Sequence, residues 1–459
     1  MLKHVALAAL SLAAIVTTGI GWRITPHAMA CPFCSAVSQT LRQEMASTDA
    51  VVIARIVPGS ETESTAQFLI ERVIQGDGLV KPEQVITVNY FGKAKPEQRF
   101  LLMGVDPPEL LWSSPLPISE TAIDYVQSIK KLPEDPIARL KFYLPYLEHP
   151  DSMLARDAYD EFASAPYGEL KQLKDSLDRR QLLQWVQDTS LPPDRKRLYF
   201  VLLGICGQPE DTEILERLLR SEDPDQRAGL DALIACYITL KGESALDLVD
   251  ELFLKNEQSR YADTYAAIMA LRFHGTEGGV VPKERVLQSM RLLLMRPQLA
   301  DLVIPDLARW EDWSQIDRLV QLFKTADETT SWVRVPVINY LRACPLPEAE
   351  AALQELKEID PAAYKRATSY FPVPRAGDGS STRLPDRMRH LVSDRPLGGP
   401  GPFAASTATA IPSTSLSVRR DLPPPPNRLL VTSVVGMAAV TVWLTMWLAI
   451  SGAGRSPLA

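Results

Sequence analysis

Leu218-Leu219-Arg220-Ser221-Glu222-Asp223-Pro224-Asp225-Gln226-Arg227 holds a helix end, a turn and a helix start. Paired leucines close one apolar stripe, Pro224 between two aspartates cannot continue it, and Gln226-Arg227 open the next. Arg227 is followed by Leu230 and Leu233. The same triplet, an arginine with apolar residues at +3 and +6, recurs as Arg156/Tyr159/Phe162, Arg197/Phe200/Leu203 and Arg334/Val337/Tyr340. Successive gaps are 41, 30 and 107 residues, the last close to three units of about 36.

Outward from this turn, the period stays helical from Ser119 to Ala367. Apolar residues recur every three or four positions in Leu140–Phe162, Arg197–Leu219, Gln226–Ile238, Tyr261–Phe273, Val303–Phe323 and Val333–Leu356, with Pro, Gly or Asp between. A repeat of roughly 30–45 residues with helix–turn–helix content predicts an α-solenoid, because each pair leaves an apolar face that only the next pair can bury. A compact irregular helical domain is the alternative.

Upstream the period becomes two. Ala50–Val57, Phe68–Ile74, Val85–Tyr90 and Phe100–Val105 are β-rich runs separated by Pro58-Gly59-Ser60, Gly76-Asp77-Gly78 and a longer polar stretch. They predict a meander closing into a small barrel, preceded by a helix over Ser35–Ser47.

Composition agrees with a folded body between unlike ends. The 459 residues correspond to about three domains, and 46% hydrophobic with 23% charged residues is globular. The net charge of −7 includes +2 from residues 1–30, +4 from 371–428 and +1 from 429–459, which leaves −14 on 31–370. A body so acidic repels phosphate backbones, so nucleic acid is not an expected partner.

Residues 1–30 read as a signal peptide: Lys3, the uncharged Val5–Gly21, then Ala28-Met29-Ala30 with cleavage between Ala30 and Cys31. An uncleaved anchor and a lipid-modified Cys31 are alternatives. Leu429–Ile450 is 22 residues without a charge, about 33 Å of helix, and is expected to span a bilayer. Phe371–Arg428, with 11 prolines and eight arginines, reads as a disordered tether, and Ser451–Ala459 as a short tail. Together these place the chain in a bacterial inner membrane as a single-pass protein with its bulk on the periplasmic side.

Three resemblances rest on quoted residues. Leu144-Pro145-Tyr146-Leu147-Glu148-His149-Pro150-Asp151 with Arg156, and Leu218–Arg227, resemble HEAT repeats, which implies a protein-interaction role. Cysteines at the mature N-terminus, Asp49–Val57 and Val73-Ile74-Gln75-Gly76 resemble the netrin-like OB-fold domain of tissue inhibitors of metalloproteinases. That resemblance implies zinc chelation through the amine and carbonyl of Cys31, although the family has Cys-x-Cys where this chain has Cys31-Pro32-Phe33-Cys34. The last motif reads most simply as a structural disulfide in a short loop; it also resembles a glutaredoxin-type thiol pair, which implies redox chemistry if a helix N-terminus follows Cys34.

Catalytic and cofactor motifs are missing from the sequence. Of the five histidines only His149 and His274 fall in the body, and there is no His-Glu-x-x-His, Gly-x-Ser-x-Gly, phosphate loop or dinucleotide fingerprint. Asp157-Ala158-Tyr159-Asp160-Glu161 reads as a helix's solvated face, Trp310 and Trp313, one turn apart, as packed inside or as an exposed aromatic anchor, and Cys206, Cys236 and Cys344 as buried thiols. The expected architecture is therefore α+β: an OB-like barrel (31–118), a HEAT-like all-α solenoid (119–370), the linker and the membrane helix. The expected function is a membrane-anchored, non-enzymatic scaffold for protein partners, with no metal and no cofactor; thiol-redox and metalloproteinase-inhibitor roles centred on Cys31 and Cys34 are the alternatives.

Overall fold

Strand β1 (Ala50–Ile56) begins with Ala-Val-Val-Ile-Ala, which has no polar side chain to turn outward, and all five residues are buried. In this computed structural model, which describes residues 31–34, 38–93, 95 and 97–370, β1 is the centre of a six-stranded antiparallel sheet. The signal peptide 1–30 with its Ala30–Cys31 cleavage, the linker 371–428, the membrane helix 429–450 and the tail 451–459 lie outside the described residues. Among the described residues no helix is long and apolar enough to cross a membrane.

The sheet is nearly closed and barrel-like. β2 (Thr65–Gln75), β3 (Val85–Asn89), β4 (Arg99–Val105) and β5 (Leu111–Trp112) stand in the order β3-β2-β1-β4-β5, and β6 (Leu116–Ile118) also pairs with β4. Alternation divides its apolar residues between two cores. Val52, Ala54, Phe68, Phe100 and Leu102 fill one, where the Phe68 and Phe100 rings meet edge-on at 5.4 Å. Val51, Ile53, Leu101 and Met103 point the other way and join the core of the helices. The expected helix over Ser35–Ser47 is shorter: α1 spans Leu41–Ala46, started by a capping box between Thr40 and Gln43.

The helical part runs α2 (Glu120–Ile129), α3 (Pro136–Tyr143), α4 (Ser152–Ser164), α5 (Tyr167–Lys171), α6 (Arg179–Gln187) and α7 (Pro193–Cys206). It continues through α8 (Thr212–Leu219), α9 (Leu230–Lys241), α10 (Ala245–Val249), α11 (Tyr261–Phe273) and α12 (Lys283–Arg291). Last come α13 (Ile304–Arg309), α14 (Ile316–Thr325), α15 (Arg334–Ala343), α16 (Pro347–Ile359) and α17 (Pro361–Tyr370). Several of the expected apolar runs hold two helices each: α3/α4, α7/α8, α13/α14 and α15/α16. Pro145 and Pro150, Gly207 and Pro209, Asp312, and Pro345 supply the breaks.

Alternate helices stack. α7 packs on α9 and α9 on α11, α13 on α15 and α15 on α17, while α6, α8, α14 and α16 pack beside them as the other members of the pairs. The repeating arginines tie one pair to the next. Arg197 of α7 reaches Asp231 of α9 at 2.8 Å, 34 residues on, and Arg272 of α11 reaches Asp306 of α13 at 2.8 Å, again 34 residues on. Arg227 holds Asp263 at 3.2 Å and Arg334 holds Asp360 at 2.8 Å. Arg156 differs, pairing within its own helix with Asp160 at 3.4 Å.

Candidate functional site

Residues 31–34 and 38–42 lie as a strap over the helices. Its first four residues form a small loop closed by a Cys31–Cys34 disulfide, with the Cys34 amide donating to the Cys31 carbonyl at 3.2 Å. Phe33 at the tip is buried, its ring edge-on to Phe273 at 5.3 Å, with Tyr167 on the same ring at 5.2 Å. The recess around it is lined by Phe200 and Gly204 of α7, Ala235 and Cys236 of α9 and Phe273 of α11. The disulfide loop therefore covers three consecutive helices of one row.

Farther along the strap, α4 supplies the attachment. The Leu41 amide donates to Asp157 at 2.6 Å, Ser38 Oγ to Asp160 at 2.9 Å, and Arg42 Nε to Glu161 at 3.1 Å. Tyr125 OH also donates to Asp157, at 2.6 Å. The run Asp157–Glu161 is thus no solvated face: all three carboxylates are buried because donors from the strap and from α2 replace water.

Two titrating groups in this region oppose each other. Burial pushes the Asp157 carboxyl up to about 6, although the Tyr125 and Leu41 hydrogen bonds act the other way. Burial lowers His274 to about 4. His274 Nε2 lies 3.0 Å from the Ala235 carbonyl, which only accepts, so Nε2 carries the proton and the buried Nδ1 is bare.

The signs follow from linkage. His274 has a folded pKa below its ordinary 6.5, so the unfolded chain takes up the proton first and stability is lost as pH falls from about 6.5 to about 4. Asp157 has a folded pKa above its ordinary 3.8, so its contribution is lost as pH rises from about 4 to about 6. Each is worth about 3 kcal/mol, and between pH 4 and 6 they offset. Relative to the parent chain, His274→Gln is expected to gain stability and Asp157→Asn to lose it as pH falls from 6 to 4, read by urea unfolding at several pH values. Parallel curves for both variants and the parent would refute the opposition.

The sequence reads Cys31 and Cys34 as a short-loop disulfide, which the structure has, and offers chelation and thiol chemistry as alternatives. Cys31 is 3% exposed and its carbonyl is already an acceptor, which is not the open amine and carbonyl that chelation uses. The helix that was to lower a thiol pKa is capped by Thr40, not by Cys34. Burial raises the Cys206 thiol to about 11 and holds the Cys236 thiol well above its ordinary value, so neither is a thiolate at neutral pH. Cys206 and Cys344 are half-buried rather than fully enclosed. Among the described residues no three His, Cys, Asp or Glu side chains gather as a metal site.

Trp310 and Trp313 do not form an exposed anchor. Trp310 is 8% exposed and presses on Gly275, where a Cβ would meet the ring at 2.3 Å. Trp313 is half-buried with its ring 5.1 Å from Tyr340. The exposed aromatics of the helical part are others, Tyr261 at the start of α11 and Trp332 in the turn before α15, and Phe91 beyond β3 is exposed as well. A separate cleft of about 370 Å³ lies between Pro145, Leu147, Glu148, Gln181 and Trp185. Its Glu148 already holds Arg195 at 3.0 Å and the Tyr199 hydroxyl.

No protein-family model matches the chain, and no curated protein or solved structure matches it.

Proposed function

We propose that this chain is an exported, membrane-tethered scaffold that binds other proteins through its helix stack, and that it performs no chemistry of its own. The stacked pairs tied forward by Arg197–Asp231, Arg227–Asp263, Arg272–Asp306 and Arg334–Asp360 carry this reading, because a repeat whose core continues from pair to pair leaves a long side-chain surface. In finer terms the stack is HEAT-like and the sheet an OB-like barrel, the two modules that the sequence resembles. The 22 uncharged residues Leu429–Ile450 support the tether.

A photo-crosslinking residue placed in turn at Gln184, Glu213 and Glu355, all exposed on the stack, tests it in cells making the full chain. A discrete protein adduct is expected from at least one of these positions and none from Phe91, in the loop after β3. Failure at all three stack positions, with the chain folded, removes the scaffold reading.

A further inference from the structure

Three residues stand along one edge of the helix row. Tyr261 opens α11, Asp301 lies in the turn before α13, and Trp332 lies in the turn before α15. The two rings are unusually open, Tyr261 at 59% and Trp332 at 48% exposure. Neither is loose: Tyr265 stacks on Tyr261 at 6.2 Å with the planes 10° apart, and the Trp332 side chain donates to the Asp301 carboxylate.

Asp301 is the exception among the acids of this region. Asp231, Asp263, Asp306, Asp312 and Asp360 each hold an arginine. Half-buried Asp301 has neutral donors only, its own and the Leu302 amide and Trp332, and among the described residues no Lys or Arg stands within ion-pair distance. Burial raises its carboxyl, and burial followed by the Asp301 charge raises the Tyr261 phenol, so the two groups sense each other. A desolvated carboxylate without a counter-ion, flanked by two open π faces, is complementary to one positive side chain.

We propose that this edge binds a basic, extended segment of a partner protein, with one arginine or lysine seated between Tyr261 and Trp332 and paired with Asp301. The inference rests on the scaffold reading and names its partner's chemistry. The charge of −14 on residues 31–370 draws such a segment in at low salt.

The test is fluorescence anisotropy of a labelled Gly-Arg-Gly-Arg-Gly-Arg-Gly peptide against the full chain in non-ionic detergent. Binding is expected to weaken at least tenfold in Asp301→Asn and about fivefold in Tyr261→Ala, and to be lost with a citrulline peptide. Glu109→Gln, an exposed acid in the turn between β4 and β5, is expected to bind as the parent does, and thermal unfolding midpoints establish that the variants fold. Equal binding by the Asp301→Asn and Tyr261→Ala variants, equal binding of the citrulline peptide, or no binding at millimolar peptide overturns the proposal. So does a more than threefold gain in affinity when the eight arginines of residues 371–428 are changed to glutamine, since the chain's own segment is then the occupant. Any of these results alongside intact adducts from Gln184, Glu213 or Glu355 removes this surface and leaves the scaffold reading in place.

Discussion

Arg272→Leu is expected to destabilise the helix stack by about 3 kcal/mol, because it strands the Asp306 charge in the core. Asp306 is 1% exposed and accepts from Arg272 at 2.8 Å; the other cation on it, Arg309, is 63% exposed and therefore screened by water. Arg272 also donates to the Leu302 carbonyl at 2.9 Å, so its loss frees a second acceptor. The double variant Arg272→Leu/Asp306→Leu is expected to regain at least half of the loss, since no buried charge is then left without a partner. Urea unfolding followed by circular dichroism reads both. A single variant costing under about 1 kcal/mol, or a double variant no better than the single, shows that this tie contributes no more than a surface pair.

Phe33→Ala is expected to release the strap. The side chain is 7% exposed in a recess formed by α7, α9 and α11, and truncating a buried phenylalanine costs about 3 kcal/mol. Here the cost falls on docking rather than on the whole fold, because Phe33 belongs to a segment joined to its seat by side chains alone. Amides of Leu41–Met45 are expected to exchange about 100-fold faster, the factor that such a free energy represents. Replacing Cys31 and Cys34 by serine should do less, about 2 kcal/mol, since a loop closed over so few residues restricts the unfolded chain only slightly. Unchanged exchange in Phe33→Ala would show that Asp157, Asp160 and Glu161 hold the strap without it.

Much of the fold was legible locally. The expected strand Ala50–Val57 is β1 to within a residue, and Tyr261–Phe273 is α11, because each is bounded by residues that stop its period. The repeating arginines were visible as a pattern, but their acceptors lie about one helix pair farther on, 34 residues for Arg197 and Arg272 and 26 for Arg334, with no apolar period to mark them. Asp157, Asp160 and Glu161 looked solvated because burial of a carboxylate depends on donors, and these come from residues up to 122 positions away. Trp310, between Arg309 and Glu311, left both readings open; Gly275, which makes room for its ring, sits on another helix. The Thr40/Gln43 capping box was readable and places the helix start correctly, whereas the apolar pattern alone began it too early. β5 and β6 are too short, and β6 too proline-interrupted, to stand out.

The strap also imposes an order on assembly. Residues 31–42 leave the ribosome before any of the helices they cover, yet Leu41 waits for an acceptor 116 positions later and Phe33 for a ring on α11. Contacts so distant along the chain form late, after nearer ones have condensed. A segment made before its seat is thus the last to find its place, and a nascent protein halted before Phe273 presents an open row of apolar side chains to whatever chaperone meets it.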